Sequence, residues 1–190
     1  LEGKDAQRKL GSVGKVIPAV TARIVDPAMN DVADGEVGEI VYRGPNLMLG
    51  YWQNPEGTAD SFRGGWFHSG DLVRRDSEGF IYVVDRAKDM IISGGENIYC
   101  AEVENALAAH PRILEAAVIG RADPKWGEVP VAVVVTNDGA DMTLEELEPH
   151  LNDHLARYKH PKDLVLVPEL PRNASGKIVK PSLRSSYGSK

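Results

Sequence analysis

The chain has 190 residues, of which 42% are hydrophobic, and its formal net charge is −6. This composition supports a packed core in one or two domains, and the acidic balance argues against a nucleic-acid-binding protein, whose surface is normally basic. Because there is a single cysteine, Cys100, and no apolar run of about 18 residues, an intrachain disulfide and a membrane span are excluded, and we expect a cytoplasmic location.

The first 85 residues have the sequence pattern of a β-rich region. Short β-branched runs at residues 20–25, 39–43 and 80–84 are separated by turn signals rich in Gly, Pro, Asn and Asp. We expect a single short helical turn in this region, directly after Asn54 and Pro55. Several short strands joined by regular turns predict a small barrel or sandwich.

The remaining residues, 86–190, alternate between helical and extended patterns. A helix is predicted over residues 101–109, where the following Pro111 stops it. A second helix is opened by a capping box, in which the Thr143 hydroxyl and the Glu146 side chain satisfy each other's backbone amides. Predicted strands lie at residues 115–120, 129–135 and 162–167. This order predicts a small α+β domain with its helices on one face of the sheet.

The two regions meet without a Gly/Ser-rich linker. The sequence therefore predicts a sharp hinge at residues 85–89 rather than a flexible tether. The predicted fold class is α+β, with a β-rich, barrel-like subdomain over residues 1–85 followed by a small α+β domain over residues 86–190.

The segment at residues 64–71 places Asp71 directly after a tight glycine loop. A carboxylate in that position can accept hydrogen bonds from both hydroxyls of a ribose. Considered alone, the same Asp is more often a turn residue that binds local backbone amides. We interpret His68 as structural, since the sequence shows no partner for it.

Arg86 and Lys88 follow the predicted strand at residues 80–84. An Arg at the end of a strand can donate to a ribose or a phosphate through its planar guanidinium. The alternative is a surface ion pair with Asp85 or Asp89, and such pairs contribute little to stability.

Residues 93–97 form a Gly-rich segment, Ser-Gly-Gly-Glu-Asn, which lacks the Lys-Ser/Thr ending and the Gly spacing of a phosphate-binding loop. The paired glycines at 94 and 95 permit close approach of the backbone to a thin ligand. A plain hairpin turn after residues 90–92 is the structural alternative, and the two interpretations are compatible. Glu102 and Glu104 begin the next helix, where carboxylates suit the helix dipole, and we assign them no catalytic role.

Residues 171–177, Pro-Arg-Asn-Ala-Ser-Gly-Lys, place Lys177 on a Gly-containing loop near the end of the sequence. A lysine in such a loop can bring a cation to the negative charge that develops on a carboxylate and an α-phosphate, and this kind of electrostatic stabilisation is usually a large part of catalysis. For an isolated Ser-Gly-Lys sequence, a solvated lysine is the better interpretation.

Taken in order, these segments resemble the C-terminal part of the acyl-CoA synthetases, fatty-acid–CoA ligases of the adenylate-forming enzyme superfamily. The resemblance runs from about Gly11 to Leu183. It implies that Lys177 is the catalytic residue of adenylation and that Lys88 is the hinge. The implied ATP- or AMP-binding residues are Asp71, Val83, Arg86 and Lys177, and the implied CoA and thioester loop consists of Ser93, Gly94, Gly95 and Glu96.

The resemblance also implies a two-step reaction with ATP, CoA and Mg²⁺. A carboxylate, expected to be a fatty acid, first forms acyl-AMP and pyrophosphate, and the CoA thiol then displaces AMP after rotation about the hinge. In the family the phosphate loop, the magnesium ligand and the acyl pocket precede the segment that this chain resembles, so we predict no metal ligand here. We expect the chain to be inactive alone, to need the N-terminal part of the same enzyme, and to bind no nucleic acid; peripheral membrane contact stays open.

Other functions fit part of the same pattern. A non-catalytic AMP- or CoA-binding module would keep Asp71, Arg86 and the Gly-rich loop, and an aryl-CoA ligase would share every motif. A fatty-acyl-AMP ligase is disfavoured, because residues 92–99 run without an insertion near the hinge. A peptide-synthetase adenylation domain is disfavoured by the segments at residues 85–89 and 126–128.

Cys100 stands where relatives often have Pro at the start of a helix. We do not interpret it as a nucleophile, because no His lies near it in sequence. Lys125, Arg157 and Lys159 are candidates for contact with the CoA phosphates, although long basic side chains more often solvate a surface.

Overall fold

Residues 1–188 are described by the computed structural model of the chain, which divides into two units, Leu1–Lys88 and Asp89–Lys190. The division falls between Lys88 and Asp89, inside the segment in which the sequence places a hinge.

The first unit is built on one antiparallel sheet of five strands. The strands are β1 Ser12–Gly14, β2 Thr21–Val25, β3 Gly38–Arg43, β4 Phe67–Arg75 and β5 Ile81–Arg86. The strand order in the sheet is β1-β5-β4-β3-β2, and β2 does not pair with β1, so the sheet is open and does not close into a barrel within the described residues. The β-rich character of this unit and the α+β class of the whole chain are confirmed.

Two short helices accompany this sheet, α1 Gly3–Arg8 and α2 Pro55–Ser61. The predicted turn after Asn54 is α2, and the Asn54 side chain caps it by accepting from the amide of Gly57 at 2.9 Å. The helix α1 was not expected, because it buries no residue and therefore shows no apolar period.

Both faces of the sheet in the first unit carry buried side chains. Ile24 and Ile40 belong to one hydrophobic cluster, whereas their neighbours Val25 and Val41 belong to another that includes Trp66. Successive residues of a strand point to opposite faces, so β2 and β3 each contribute to both clusters.

The second unit is a mixed sheet with three helices. The elements are β6 Ile91–Ser93, β7 Glu96–Ile98, α3 Cys100–Ala108, β8 Ile113–Asp123, β9 Gly127–Thr136, α4 Leu144–His154, β10 Asp163–Leu166 and α5 Lys180–Tyr187. The sheet order is β10-β9-β6-β7, and β8 also pairs with β9, outside this order.

Helices cover both faces of this sheet, so the expectation of helices on one face was wrong. The helices α3 and α4 pack on the face that includes Val118 and Val134, whereas Leu183 of α5 packs on the opposite face with Ala117 and Val133. The run of apolar residues in β9 indicates that both faces of the sheet are covered, because a strand that is buried on both faces lacks alternating polar residues.

The capping box of α4 is confirmed. The amide of Glu146 donates to the Thr143 hydroxyl at 3.3 Å, and the amide of Thr143 donates to the Glu146 carboxylate at 2.9 Å. Leu147 and Leu151 then face the core, as their spacing predicts.

His110 gives the second unit a pH-dependent stability. Burial lowers its pKa, and the charges of His150 and Arg112 lower it further. Its Nδ1 accepts from the amide of Arg112 at 3.3 Å, which requires an unprotonated nitrogen. The unfolded chain therefore binds a proton at His110 more tightly than the folded chain does. The contribution of His110 to the free energy of unfolding is complete above the ordinary histidine pKa of about 6.5 and declines below it.

We expect the melting temperature to fall when the pH is lowered from 7.5 to 5.5. The fall should be smaller in His110→Gln, because glutamine cannot take up a proton. Thermal unfolding followed by circular dichroism at both pH values measures the difference. An equally steep decline in the variant would show that groups other than His110 cause it.

Candidate functional site

The structure brings Asp71 and Arg86 together on adjacent strands. They face each other in the register of β4 and β5, and Arg86 Nε lies 3.0 Å from Asp71 Oδ1. Their side chains are 32% and 58% exposed, so both groups reach solvent while remaining paired. The guanidinium of Arg86 thus pairs with the residue predicted to bind the same ribose, while its backbone amide donates to Asp85 at 2.7 Å.

A half-buried carboxylate, that of Glu39, holds the loop that presents Asp71. Glu39 accepts from the amide of Gly70 at 2.9 Å and hydrogen bonds with His68 Nδ1 at 2.8 Å. The carbonyl of Gly70 accepts from the amide of Ala87 at 2.8 Å, so both backbone polar groups of Gly70 are hydrogen-bonded. Glu39, the partner of His68 Nδ1, was missed because nothing near Glu39 in sequence indicates the contact, and the structural interpretation of His68 stays a prediction.

Asp71 and Val83 line one cleft of about 390 Å³ in the first unit. The remaining wall is largely apolar and includes Val16, Ile17 and Leu47. Val83 is 53% exposed, although it is a β-branched residue in a central segment of β5, so the core does not account for it. An apolar wall beside one carboxylate suits a flat base joined to a sugar with free hydroxyls.

Replacing Asp71 with asparagine should weaken nucleotide binding about 10- to 100-fold, because hydrogen bonds to a charged group contribute roughly 1.5–3 kcal/mol. The Michaelis constant for ATP of the full-length protein measures the change. Asp34→Asn is the matched control, since Asp34 is an exposed aspartate of the same unit that pairs with Arg75 instead. Equal constants for both variants would contradict the assignment of Asp71.

Gly94 and Gly95 form the two-residue turn of the β6–β7 hairpin. Their φ angles are +61° and +88°, the left-handed values that such turns require and that glycine adopts without strain. Ser93 and Glu96 pair across the turn as the last and first residues of the two strands. The hairpin interpretation is confirmed, and the role of these four residues in the thioester step stays a prediction.

Trp126 packs directly on this turn. The amide of Gly94 donates to the Trp126 carbonyl at 2.8 Å, and a Cβ placed on Gly94 would lie 2.7 Å from the indole ring. Lys125 extends over the same ring, with Nζ 4.7 Å from the ring centroid. The backbone of the turn is thus held against an aromatic surface that is partly open to solvent.

The loop that carries Lys177 is organised by Asn173. The Asn173 side-chain oxygen accepts from the amides of Ser175 and Lys177, and the Asn173 amide donates to the Lys177 carbonyl at 2.9 Å. Arg172 donates to the carbonyl of Gly176 at 2.6 Å and pairs with Glu115 on β8. The Lys177 side chain is exposed, and its ammonium has no ion-pair partner among residues 1–188.

The hairpin turn and the Lys177 loop attach to opposite ends of β9. Ser93 pairs with Gly127 at one end, whereas Arg172 pairs with Glu115, which stands opposite Val135 at the other. At about 3.3 Å per residue, positions 127 and 135 are roughly 26 Å apart. The second unit therefore presents these two loops at well-separated places.

Other candidate groups have structural partners. Cys100 is fully buried and its Sγ–H donates to the Asp89 carbonyl at 2.9 Å, which agrees with our not interpreting it as a nucleophile. Lys159 pairs with Glu102 at 2.6 Å, and the exposed Arg157 pairs with Glu148 at 3.5 Å. Across the described residues no group of three or more His, Cys, Asp and Glu side chains could hold a metal ion. None of the helices in residues 1–188 is long and apolar enough to cross a membrane.

Two family models match the sequence. The AMP-binding enzyme C-terminal domain matches residues 102–177, and the AMP-binding enzyme model matches residues 1–52. Among curated proteins, the chain is 49% identical over 188 residues to a feruloyl-CoA synthase of Amycolatopsis sp, covering 99% of the chain and 38% of that protein. It is 42% identical over 189 residues to the long-chain-fatty-acid–CoA ligase FadD13 of Mycobacterium tuberculosis, covering 98% of the chain and 37% of that protein.

Solved structures give the same result. The o-succinylbenzoate CoA synthetase of Bacillus subtilis, in complex with its acyl-adenylate intermediate, superposes with a TM-score of 0.88 at 41% identity, over 97% of this chain and 37% of that one. ATP-bound MatB from Rhodopseudomonas palustris superposes with a TM-score of 0.85 at 39% identity, over 94% and 36%. The chain thus spans somewhat more than a third of the length of the proteins it matches.

Proposed function

Because this chain belongs to the AMP-binding enzyme family, the adenylate-forming CoA ligases, we propose that it is the C-terminal part of an ATP-dependent acid–CoA ligase. The observation that supports this most directly is the Asp71–Arg86 pair, of which Asp71 lines an apolar cleft. The family resemblance implies that both residues contact the nucleotide.

In the proposed first step, a carboxylate oxygen attacks the α-phosphorus of ATP and pyrophosphate leaves. Asp71 accepts from the ribose hydroxyls and Arg86 donates beside it, so the nucleotide is oriented before reaction. The ammonium of Lys177 stabilises the negative charge that develops around the α-phosphate. In the second step the CoA thiol attacks the acyl carbonyl and AMP leaves.

The family resemblance implies that the magnesium ligand of the proposed enzyme lies outside this chain. We assign no step of the reaction to a metal held by these residues.

We further propose that the second unit rotates about Lys88 between the two steps. The Lys177 loop and the Gly94–Gly95 turn are attached roughly 26 Å apart along β9, so a rigid unit cannot bring both to one reacting centre at once. A change of orientation between steps would present Lys177 first and the hairpin turn second.

The acid that we propose is a fatty acid or an aryl acid. Similarity to FadD13 favours the first, and similarity to feruloyl-CoA synthase and to an indoleacetate–CoA ligase of Aromatoleum aromaticum, 48% identical over 180 residues, favours the second. A panel that includes a long-chain fatty acid, ferulate and indoleacetate separates these classes.

The test uses the full-length protein with ATP, CoA and this panel, and follows pyrophosphate release and CoA-thioester formation. We expect both products with at least one acid, and neither product from the 190-residue chain alone. Thioester formation by the chain alone would overturn its assignment as part of a larger site. Calorimetric binding of AMP by the full-length protein without turnover of any acid would favour a non-catalytic binding module.

A further inference from the structure

The last helix, α5, places the cationic side chains of Lys180 and Arg184 against the rest of the second unit. Lys180, Leu183, Arg184 and Tyr187 follow a spacing of three and four residues and therefore share one face of the helix. Leu183 is 2% exposed and packs with the apolar residues of β8 and β9. The charged residues on either side of this anchor both have specific partners.

Arg184 pairs with the first residue of the second unit. Its Nη2 lies 2.6 Å from Asp89 Oδ1, and the Asp89 side chain is only 12% exposed. Cys100 at the start of α3 donates to the Asp89 carbonyl at 2.9 Å. Asp89, which directly follows Lys88, is therefore fixed to α5 through its side chain and to α3 through its backbone.

Lys180 makes the second connection. Its Nζ lies 2.8 Å from Glu104 Oε1, and the same carboxylate accepts from the Val118 amide of β8 at 2.7 Å. Burial alone would lower the pKa of Lys180, but the negative charges of its neighbours, including Glu104, raise it overall, so the ammonium stays charged. Through Lys180 the helix α5 is tied to α3 and to the outer edge of β8.

Lys177 is separated from α5 by only two residues. Ile178 packs in the same apolar cluster as Leu183, and the amide of Val179 donates to the Pro171 carbonyl at 2.8 Å. The loop of Lys177 is thereby closed at its base just before the helix begins. Any shift of α5 against the rest of the unit would move Lys177 with it.

We propose that α5 acts as a clamp that fixes the Lys177 loop relative to Asp89, so that Arg184 and Lys180 are positioning residues for the adenylation step. This inference rests on the proposed function. A rotation about Lys88, next to Asp89, moves Lys177 by the full angle only if the connection between Asp89 and Lys177 is rigid. The clamp supplies that connection through half-buried ion pairs, which salt screens less than exposed ones.

The experiment compares the two half-reactions in the full-length enzyme carrying Arg184→Gln. We expect the rate constant for acyl-AMP formation to fall about 10- to 100-fold, since a misplacement near 1 Å can have that effect. The Michaelis constant for ATP should stay close to the wild-type value, because Asp71 and Arg86 are unchanged. Thioester formation from supplied acyl-AMP and CoA should also be unchanged, and Arg184→Lys should recover part of the lost rate.

Arg112→Gln is the matched control, because Arg112 is a half-buried arginine of the same unit whose partners, Asp138 and Glu146, lie outside α5. It should leave both half-reactions near wild type. If Arg184→Gln does not fold, Asp89→Asn removes the same ion pair from the other side. Equal losses in both half-reactions would indicate a merely structural role and overturn the clamp.

The clamp and the proposed function fail separately. Normal adenylation by Arg184→Gln, together with loss of adenylation in Lys177→Ala, would overturn the clamp alone. Normal adenylation by Lys177→Ala would instead contradict the function on which the clamp depends.

Discussion

Replacing Lys177 with alanine should nearly abolish acyl-AMP formation while leaving the thioester step intact. Removing one group that stabilises developing charge in an active site typically lowers the rate constant about 100- to 1,000-fold. The exposed ammonium has no ion-pair partner within residues 1–188, so its removal leaves no unpaired charge behind in the described structure. The fold of the loop should persist, because its hydrogen bonds come from the side chains of Arg172 and Asn173 and from backbone groups.

Two assays of the full-length enzyme measure this result. Carboxylate-dependent pyrophosphate release reports adenylation, and conversion of supplied acyl-AMP and CoA reports thioester formation. Lys162→Ala is the matched control, since Lys162 is another exposed lysine of the second unit. Pyrophosphate release at the wild-type rate in Lys177→Ala would show that the loop at residues 171–177 has a different role.

Replacing Gly94 with alanine should have the opposite effect, a loss of thioester formation with adenylation retained. The φ of +61° is unfavourable for alanine, and such strained residues cost roughly 1–3 kcal/mol. In addition, the new Cβ would lie 2.7 Å from the Trp126 ring, so either the turn or the indole must move. We expect the rate of thioester formation to fall at least about tenfold, since small displacements of a positioning backbone have effects of this size.

The Gly95→Ala variant distinguishes the effect of backbone strain from the effect of the contact with Trp126. Its φ of +88° is equally unsuited to alanine, but no atom lies within 4 Å of the added Cβ. A larger loss of thioester formation in Gly94→Ala than in Gly95→Ala would identify the contact with Trp126 as the important one. A loss of adenylation equal to the loss of thioester formation in Gly94→Ala would contradict the separate roles of the two loops.

The family and the main elements were predictable where the signals are local. The capping box of α4 lies within four residues. The segments that resemble the family, at residues 64–71, 85–89, 93–97 and 171–177, are each shorter than ten residues, and the comparisons confirm the family. Asp71 and Arg86 were predicted to act on one nucleotide, but their pairing depends on the register of β4 and β5, which shifts at Leu72. A sequence pattern does not specify such a shift.

The missed features depend on contacts between distant residues. Glu39 holds groups that follow it by 29 and 31 positions, and a single glutamate in a strand gives no sign of this. The helix α5 has only eight residues, contains Pro181 and three serines and buries only Leu183 fully, so few apolar residues indicate it in the sequence. Its stability comes from tertiary packing and ion pairs, as is usual for short helices.

The carboxylate of Glu104 has a consequence for solubility. β8 lies at the margin of its sheet, and exposed amides along such a strand are sites at which another chain can add and start aggregation. By accepting from the Val118 amide in the middle of β8, Glu104 occupies a group that an incoming strand would need, and it places charge there. The side chain that steadies Lys180 thus also protects the second unit against self-association through its longest strand.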